Sequence, residues 1–90
     1  MYFMKHLFVS VIMATFNNAT YLRDAIDSVL KQSYNNFELI IINDASTDAT
    51  AAILANLAVQ DTRVIVVTNS HRQGLTKSLN AGIAKAQGHI

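Results

Sequence analysis

Phe37-Glu38-Leu39-Ile40-Ile41-Ile42-Asn43-Asp44-Ala45-Ser46-Thr47-Asp48-Ala49-Thr50 is the stretch whose reading decides the fold. Its first six residues are apolar at every position except Glu38. Such a near-continuous run, too short for a helix and stopped by turn formers, reads as a strand covered on both faces. Asn43 to Asp48 is a cluster of turn and cap formers, and Ile53, Leu54, Leu57 and Ala58 then mark a helix. Upstream, Ser33-Tyr34-Asn35-Asn36 ends an earlier helix over Ala19 to Gln32, whose apolar residues Leu22, Ala25, Ile26, Val29 and Leu30 repeat at helical spacing. Asn18 stands at its start as a side-chain N-cap. Before that, Phe8 to Met13 is a first apolar strand.

Downstream the alternation continues. Val64 to Val67 is a third strand. Gly74 opens a third helix with Leu75, Leu79, Ile83 and Ala86 on one side, and Gly88 is expected to end it in a left-handed cap. His89-Ile90 reads as the start of a fourth strand. Strand and helix in strict turn predict an α/β fold, a Rossmann-like parallel sheet with helices on both faces. Ligands bind such sheets beyond the carboxyl ends of the strands. The loops there are Ala14 to Asn18, Asn43 to Asp48 and Thr68 to Gly74, which are also the polar clusters.

Composition narrows the function classes. Of 90 residues, 51% are hydrophobic and 14% charged, well under the roughly 25% charged of an average soluble domain. That balance suits buried strands and an apolar surface that expects a neighbour. A net charge of +1 suggests neither nucleic acid nor an anionic membrane as partner. The charge is uneven, however. No acid follows Asp61, whereas Arg63, Arg72, Lys77 and Lys85 do, which suits an anionic ligand or, equally, a solvated basic face. Without cysteine there is neither a disulfide framework nor a thiolate metal site. Lys5 followed by Leu7 to Ala14 has the outline of a signal peptide, but the run is too short to span a bilayer and ends in Thr15-Phe16-Asn17-Asn18. It is read as a core strand, with no transmembrane segment and a cytoplasmic location expected. The chain reads as one domain over residues 1–90, with residues 1–7 an N-terminal extension.

Three clusters carry chemistry. At the end of the first strand, Phe16 can stack on a nucleobase between the hydrogen-bonding Thr15 and Asn17; spacing alone favours a plainer role in capping the core and the helix. Asp44 directly follows a buried strand, where a carboxylate is costly unless it has partners or faces a cleft. It can accept a bond from a base or a ribose, or act merely as a cap, while Ser46, Thr47 and Asp48 look structural. At Gly74-Leu75-Thr76-Lys77-Ser78, free amides and Lys77 make a phosphate-facing surface. Neither the P-loop spacing nor Gly-x-Gly-x-x-Gly occurs, and His6, His71 and His89 lack metal-ligand spacing.

Val9 to Asn17, Tyr21-Leu22 through Ser28-Val29-Leu30 and Gln32-Ser33-Tyr34 resemble the opening of the inverting family 2 glycosyltransferases. Phe37 to Thr50 resembles their second strand and its Asp-Asp-Gly-Ser-x-Asp-Gly-Thr signature. Gly74-Leu75 through Leu79-Asn80-Ala81-Gly82 to Gly88 resembles the helix before their metal-binding strand. The resemblance spans Val9 to Ile90. It implies the N-terminal, nucleotide-binding half of a GT-A fold, and an enzyme that moves a sugar from a nucleotide diphosphate donor, often UDP, to an acceptor hydroxyl with inversion. On matching positions it implies that Phe16 stacks on the base, Asp44 bonds its polar edge, and Thr15 and Asn17 shape the pocket. Lys77 beside the diphosphate is an electrostatic expectation of our own.

The chain departs from that pattern at Asn43, Ala45 and Ala49, and Leu79 stands where many relatives carry arginine. The alanines make positive φ costly. The family's Asp-x-Asp, which holds Mg or Mn against the diphosphate, is expected just beyond Ile90, and its general base later still. No catalytic residue and no metal ligand is therefore expected within residues 1–90, nor a bound cofactor, and turnover by this chain alone is not expected. In the full-length protein a place at the cytosolic face of a membrane is compatible with this reading. The competing reading is a non-catalytic α/β module that binds a nucleotide or associates with itself through an exposed sheet edge. A receiver-like signalling domain is disfavoured, because Thr15-Phe16-Asn17 supplies no acidic cluster at the first strand's end.

Overall fold

The computed structural model describes residues 7–90; of the expected extension over residues 1–7, all but Leu7 lies outside the described residues. Six elements alternate as anticipated: β1 (Val9–Thr15), α1 (Ala19–Leu30), β2 (Phe37–Asn43), α2 (Thr50–Gln60), β3 (Val64–Thr68) and α3 (Leu75–Lys85). The strands form one parallel sheet in the order β1-β2-β3. His89 then bridges to Val9 in parallel, on the edge of β1 that β2 leaves free. Ser10 N donates to His89 O at 2.6 Å and His89 N to Phe8 O at 2.8 Å, so the fourth strand expected at His89-Ile90 begins there. The chain thus winds outward from β1 to β3 and returns across β1 to its other side. That reversal makes β1 the topological switch point, where open α/β sheets bind ligands.

β2 is central, and all seven of its residues are buried. Alternation divides them between two faces. Phe37, Leu39 and Ile41 join Leu22 and Ile26 of α1, Leu54 and Leu57 of α2, and Val64 in the main core. Ile42 points the other way and meets α3 at Gly82 together with Ile12. The α1 stripe is narrower than its spacing suggested: Leu22 and Ile26 are buried, but Ala25 is exposed.

α3 presents a different side from the one expected. Ser78 and Gly82 are its buried residues, while Leu75 and Ile83 are 65% and 48% exposed. The reason is distance. A Cβ on Gly82 would lie 2.5 Å from Ile12 Cγ2 and 3.5 Å from Ile42. Small residues one turn apart let the helix sit close to the sheet, and no leucine fits beneath it. The Leu75–Ile83 side is left outward.

Gly88 is also not the left-handed cap expected. α3 stops at Lys85, Ala86 is extended with φ −64° and ψ 134°, and Gly74 is the positive-φ glycine among the described residues. Glycine stands at position 88 because a Cβ would meet Phe8 O at 2.5 Å. The same crossing satisfies the lone charge of β2. Glu38, buried, accepts from Ser10 Oγ at 2.6 Å and from Gln87 N at 2.8 Å, and Ser10 Oγ accepts from Gly88 N at 2.9 Å. A buried carboxylate with such partners avoids most of its desolvation cost and fixes where the chain returns to β1.

The helix–sheet contact gives a test in which two effects have opposite signs. Helix propensity alone favours Gly82→Ala by about 1 kcal/mol. Overpacking against the stiff, β-branched Ile12 opposes it by about 1–3 kcal/mol. Urea denaturation of Gly82→Ala is expected to show net loss of stability; a gain would mean that α3 rides further from the sheet.

Candidate functional site

Register sets the site. Thr15 pairs with Asn43 and Asn43 with Thr68, so the three strands end level. The ladder runs one bond further on each side, Asp44 N donating to Thr15 O and Asn69 N to Asn43 O, both at 2.9 Å. Phe16, Asp44 and Asn69 therefore form the next row, at the carboxyl edge of the sheet.

Asp44 is the centre of that row. Its Oδ1 accepts from Asn69 Nδ2 at 3.0 Å and Gln73 N at 2.8 Å; its Oδ2 accepts from Gly74 N at 3.0 Å and Arg72 Nε at 3.1 Å. The carboxylate has four donors, about its full capacity. Asn69 first, then the Gln73 and Gly74 amides and Arg72, hold its pKa far below the ordinary 3.8, against the opposing effect of burial. Two of the donors are amides at the entry of α3, so the anion at that helix end is Asp44 itself. The Gly74-Leu75-Thr76-Lys77 segment, expected to offer free amides to a phosphate, has already given its Gly74 amide to this carboxylate. Gly74 has φ 88°, a conformation that costs a side-chain-bearing residue about 1 kcal/mol or more. Lys77 is exposed in the first turn.

Arg72 joins the two residues that the sequence reading singled out. Its guanidinium lies over the Phe16 ring, 3.7 Å from the centroid, while its Nε bonds Asp44. Phe16 and Asp44 are thus brought to one place, with an arginine between them rather than an open hollow; no enclosed pocket is found among the described residues. Asn69, Arg72 and Gln73 were missed as site residues. The signal available was their position in the Thr68 to Gly74 loop, already assigned to the ligand edge. Of the four late basic residues, only Arg72 and Lys77 lie at this edge. Arg63 precedes β3 at the opposite end, where it pairs with Asp61 at 2.8 Å, donates to Leu30 O and covers the Phe37 ring; Lys85 is in the last turn of α3.

The first and second loops lock together through side chains. Asn17, at φ 47°, accepts at Oδ1 from Thr47 N at 2.7 Å and Asp48 N at 3.3 Å, and its own amide donates to Ser46 Oγ at 3.0 Å. Asp48 accepts from Thr50 N at 2.9 Å and from Ala19 N at 3.2 Å, so one carboxylate caps both α2 and α1. Its pKa is lowered by these bonds, Thr50 foremost. Asn18 occupies the N-cap position of α1 but makes no side-chain cap bond; Asp48 performs that task. Asn43 Oδ1 accepts from Ser46 N at 3.1 Å. Ala45 takes the costly positive φ, 60°, whereas Ala49 does not, at −75°. Thr15 is buried, and its Oγ1 is the buried side-chain oxygen without a partner among the described residues.

Among the described residues no three His, Asp or Glu side chains gather so as to hold a metal ion. They thus offer no such ligand set for the divalent ion that the resemblance implies. No helix is long and apolar enough to cross a membrane.

A parallel sheet that winds outward from β1 and returns past it, with polar loops at its carboxyl edge, defines a Rossmann-like α/β domain. The sequence model of glycosyl transferase family 2 matches residues 10–90, and the chain belongs to that family. An uncharacterized glycosyltransferase of Haemophilus influenzae is 42% identical over 80 residues, 89% of this chain and 32% of that protein. Glycosyltransferase GlyG of Streptococcus pneumoniae is 35% identical, over 89% of this chain and 27% of that protein. The fold matches the mannosyltransferase PcManGT from Pyrobaculum calidifontis, solved in complex with GDP-Man and Mn2+, with TM-score 0.82 and 27% identity, covering 89% of this chain and 24% of that one. It matches S. aureus TarS 1-349 in complex with UDP-GlcNAc equally, at TM-score 0.82 and 27% identity, over 91% and 24%. The chain thus spans about a quarter to a third of the length of these relatives.

Asp44 gives a pH test with a fixed sign. Its folded pKa is depressed, so its stabilising effect is complete above the unfolded value near 3.8 and is lost as pH falls through the folded one. Asp44→Asn is expected to be clearly less stable than the parent at neutral pH, because its amide nitrogen faces donors. The gap should narrow as pH is lowered below about 4. Chemical denaturation across that range checks it; a constant gap would show that Asp44 is not the ionised acceptor.

Proposed function

We propose that this chain is the donor-binding part of a glycosyltransferase that moves a sugar from a nucleoside diphosphate carrier, UDP first, to an acceptor hydroxyl. The observation that carries the reading is that an aromatic ring, Phe16 after β1, and a carboxylate, Asp44 after β2, share one neighbour, Arg72, at the carboxyl edge of the sheet. A ring with a partly open surface, 39% exposed, is a stacking platform for a base. Thr15, with its unpartnered hydroxyl, supports the same edge as a polar site. Asn17 acts by holding the first loop to the second, which fixes the backbone that presents Phe16. Lys77, one turn into α3, is the cation available to a phosphate. Family membership and neighbours solved with UDP-GlcNAc and with GDP-Man support a sugar nucleotide as ligand class.

Phe16→Leu isolates the stacking term, since the ring is not part of the main core. Amide shifts on UDP titration are expected at Thr15–Asn18 and in the loop from Asn69 to Gly74. In Phe16→Leu the affinity should fall roughly tenfold, with unfolding unchanged. Equal affinity in the variant, or shifts confined to other regions, would overturn the reading.

Self-association is a second reading that one observation favours. Ile65 on β3, Leu75 and Ile83 on α3, and Ile90 are exposed, at 39%, 65%, 48% and 72%. Apolar surface beside a strand edge that is unpaired among the described residues invites a like partner. Sedimentation velocity is expected to show mass rising with concentration; a monomer throughout would exclude it.

A further inference from the structure

Arg72 occupies the place that the proposed base requires. Its guanidinium carbon is 3.7 Å from the centroid of Phe16, within cation–π range. Its Nε donates to Asp44 Oδ2 at 3.1 Å. One planar, hydrogen-bonding group thus spans the ring and the carboxylate, which is what a base using both would do. Among the described residues Arg72 is the group that touches both, so a base that touched both competes with its guanidinium for that place. Asp44 also lacks spare capacity: three of its four bonds come from Asn69 and the Gln73 and Gly74 amides, which build the entry to α3. The Arg72 bond is the one that can be surrendered without unravelling the loop.

The side chain is placed to leave. It is 54% exposed, against 5% for Asp44. Beyond Nε its guanidinium has no hydrogen-bond partner among the described residues. A solvent-exposed cation over a phenyl ring is held weakly, and the guanidinium is well matched to a phosphate once released.

We propose that Arg72 is a built-in occupant of the base subsite: it stacks on Phe16 and bonds Asp44 when no donor is present, and a nucleobase binds by displacing it. The proposal rests on the donor-binding reading above. It makes Arg72 a determinant of selectivity, because a ligand that carries only a base must evict it without compensation, whereas a diphosphate offers the released guanidinium a new anionic partner.

The test uses this chain, uridine and UDP, with the Arg72 Nε–Hε resonance as reporter. In the free protein that proton is expected to be shifted by the Phe16 ring current, and the shift should be absent in Phe16→Leu. Saturation with UDP should abolish it while perturbing the Phe16 amide. Arg72→Ala should bind uridine roughly two- to fivefold more tightly than the parent, and should gain less, or lose, for UDP. If UDP perturbs Phe16 but Arg72 keeps its ring-current shift, or if Arg72→Ala binds uridine no more tightly, displacement is wrong and the donor-binding reading stands. If neither ligand perturbs Phe16 in either protein, both fall together.

Discussion

The Asp44 carboxylate is the constraint on which the carboxyl edge is built. Located one residue past the most buried strand, it takes in Asn69 from the end of β3, the loop amides that lead into α3, and Arg72. Those donors come from 25 to 30 residues further along the chain. One ionised group therefore fixes three things at once: the end of the third strand, the entry of the third helix and the position of the arginine over Phe16. Charge-assisted bonds of this kind are stronger than neutral ones, and here they operate where burial leaves few competing waters. The close seating of α3 on the sheet is permitted separately, by the small residues Ser78 and Gly82.

A second carboxylate, Asp48, does for α1 and α2 what Asp44 does for α3. By accepting from both Ala19 N and Thr50 N it makes the start of one helix depend on the start of the other. Asn17 closes the arrangement from the β1 side. The departures from the family signature are consistent with this economy of charge. Asn43, only 1% exposed, accepts the Ser46 amide without placing another charge beside Asp44, so a hydrogen-bonding side chain suffices there. Ala49 needs no positive φ and loses nothing by not being glycine. Ala45 does adopt positive φ, so that one departure carries a conformational cost.

Much of this was legible in the residue order. The apolar run Phe37 to Ile42, its turn formers and the 3.6-residue spacings gave the alternation, the parallel sheet and its polar carboxyl edge, because those patterns reflect burial on a regular backbone. Phe16 and Asp44 stood out as polar or aromatic residues at strand ends. What periodicity could not show was which side of α3 meets the sheet. Leu75, Leu79 and Ile83 make the more hydrophobic stripe, yet proximity to Ile12 demands small residues. Nor could it show that Gly88 avoids the Phe8 carbonyl instead of adopting a left-handed turn, since both needs select glycine. Arg72 was visible only as one of several late basic residues; its role depends on a partner 28 positions away.

The sequence by itself determined the class of fold and the edge at which its polar loops gather, since both follow from local patterns of burial and from the handed winding of strand and helix. The tertiary structure alone decided who satisfies whom at that edge: that Asp44 is already saturated, that Asp48 rather than Asn18 caps α1, and that an arginine rests on Phe16. Hydrogen bonds and stacking act over a few ångströms in space, and residues distant in sequence meet at that range only once the register of the strands has brought Thr15, Asn43 and Thr68 level.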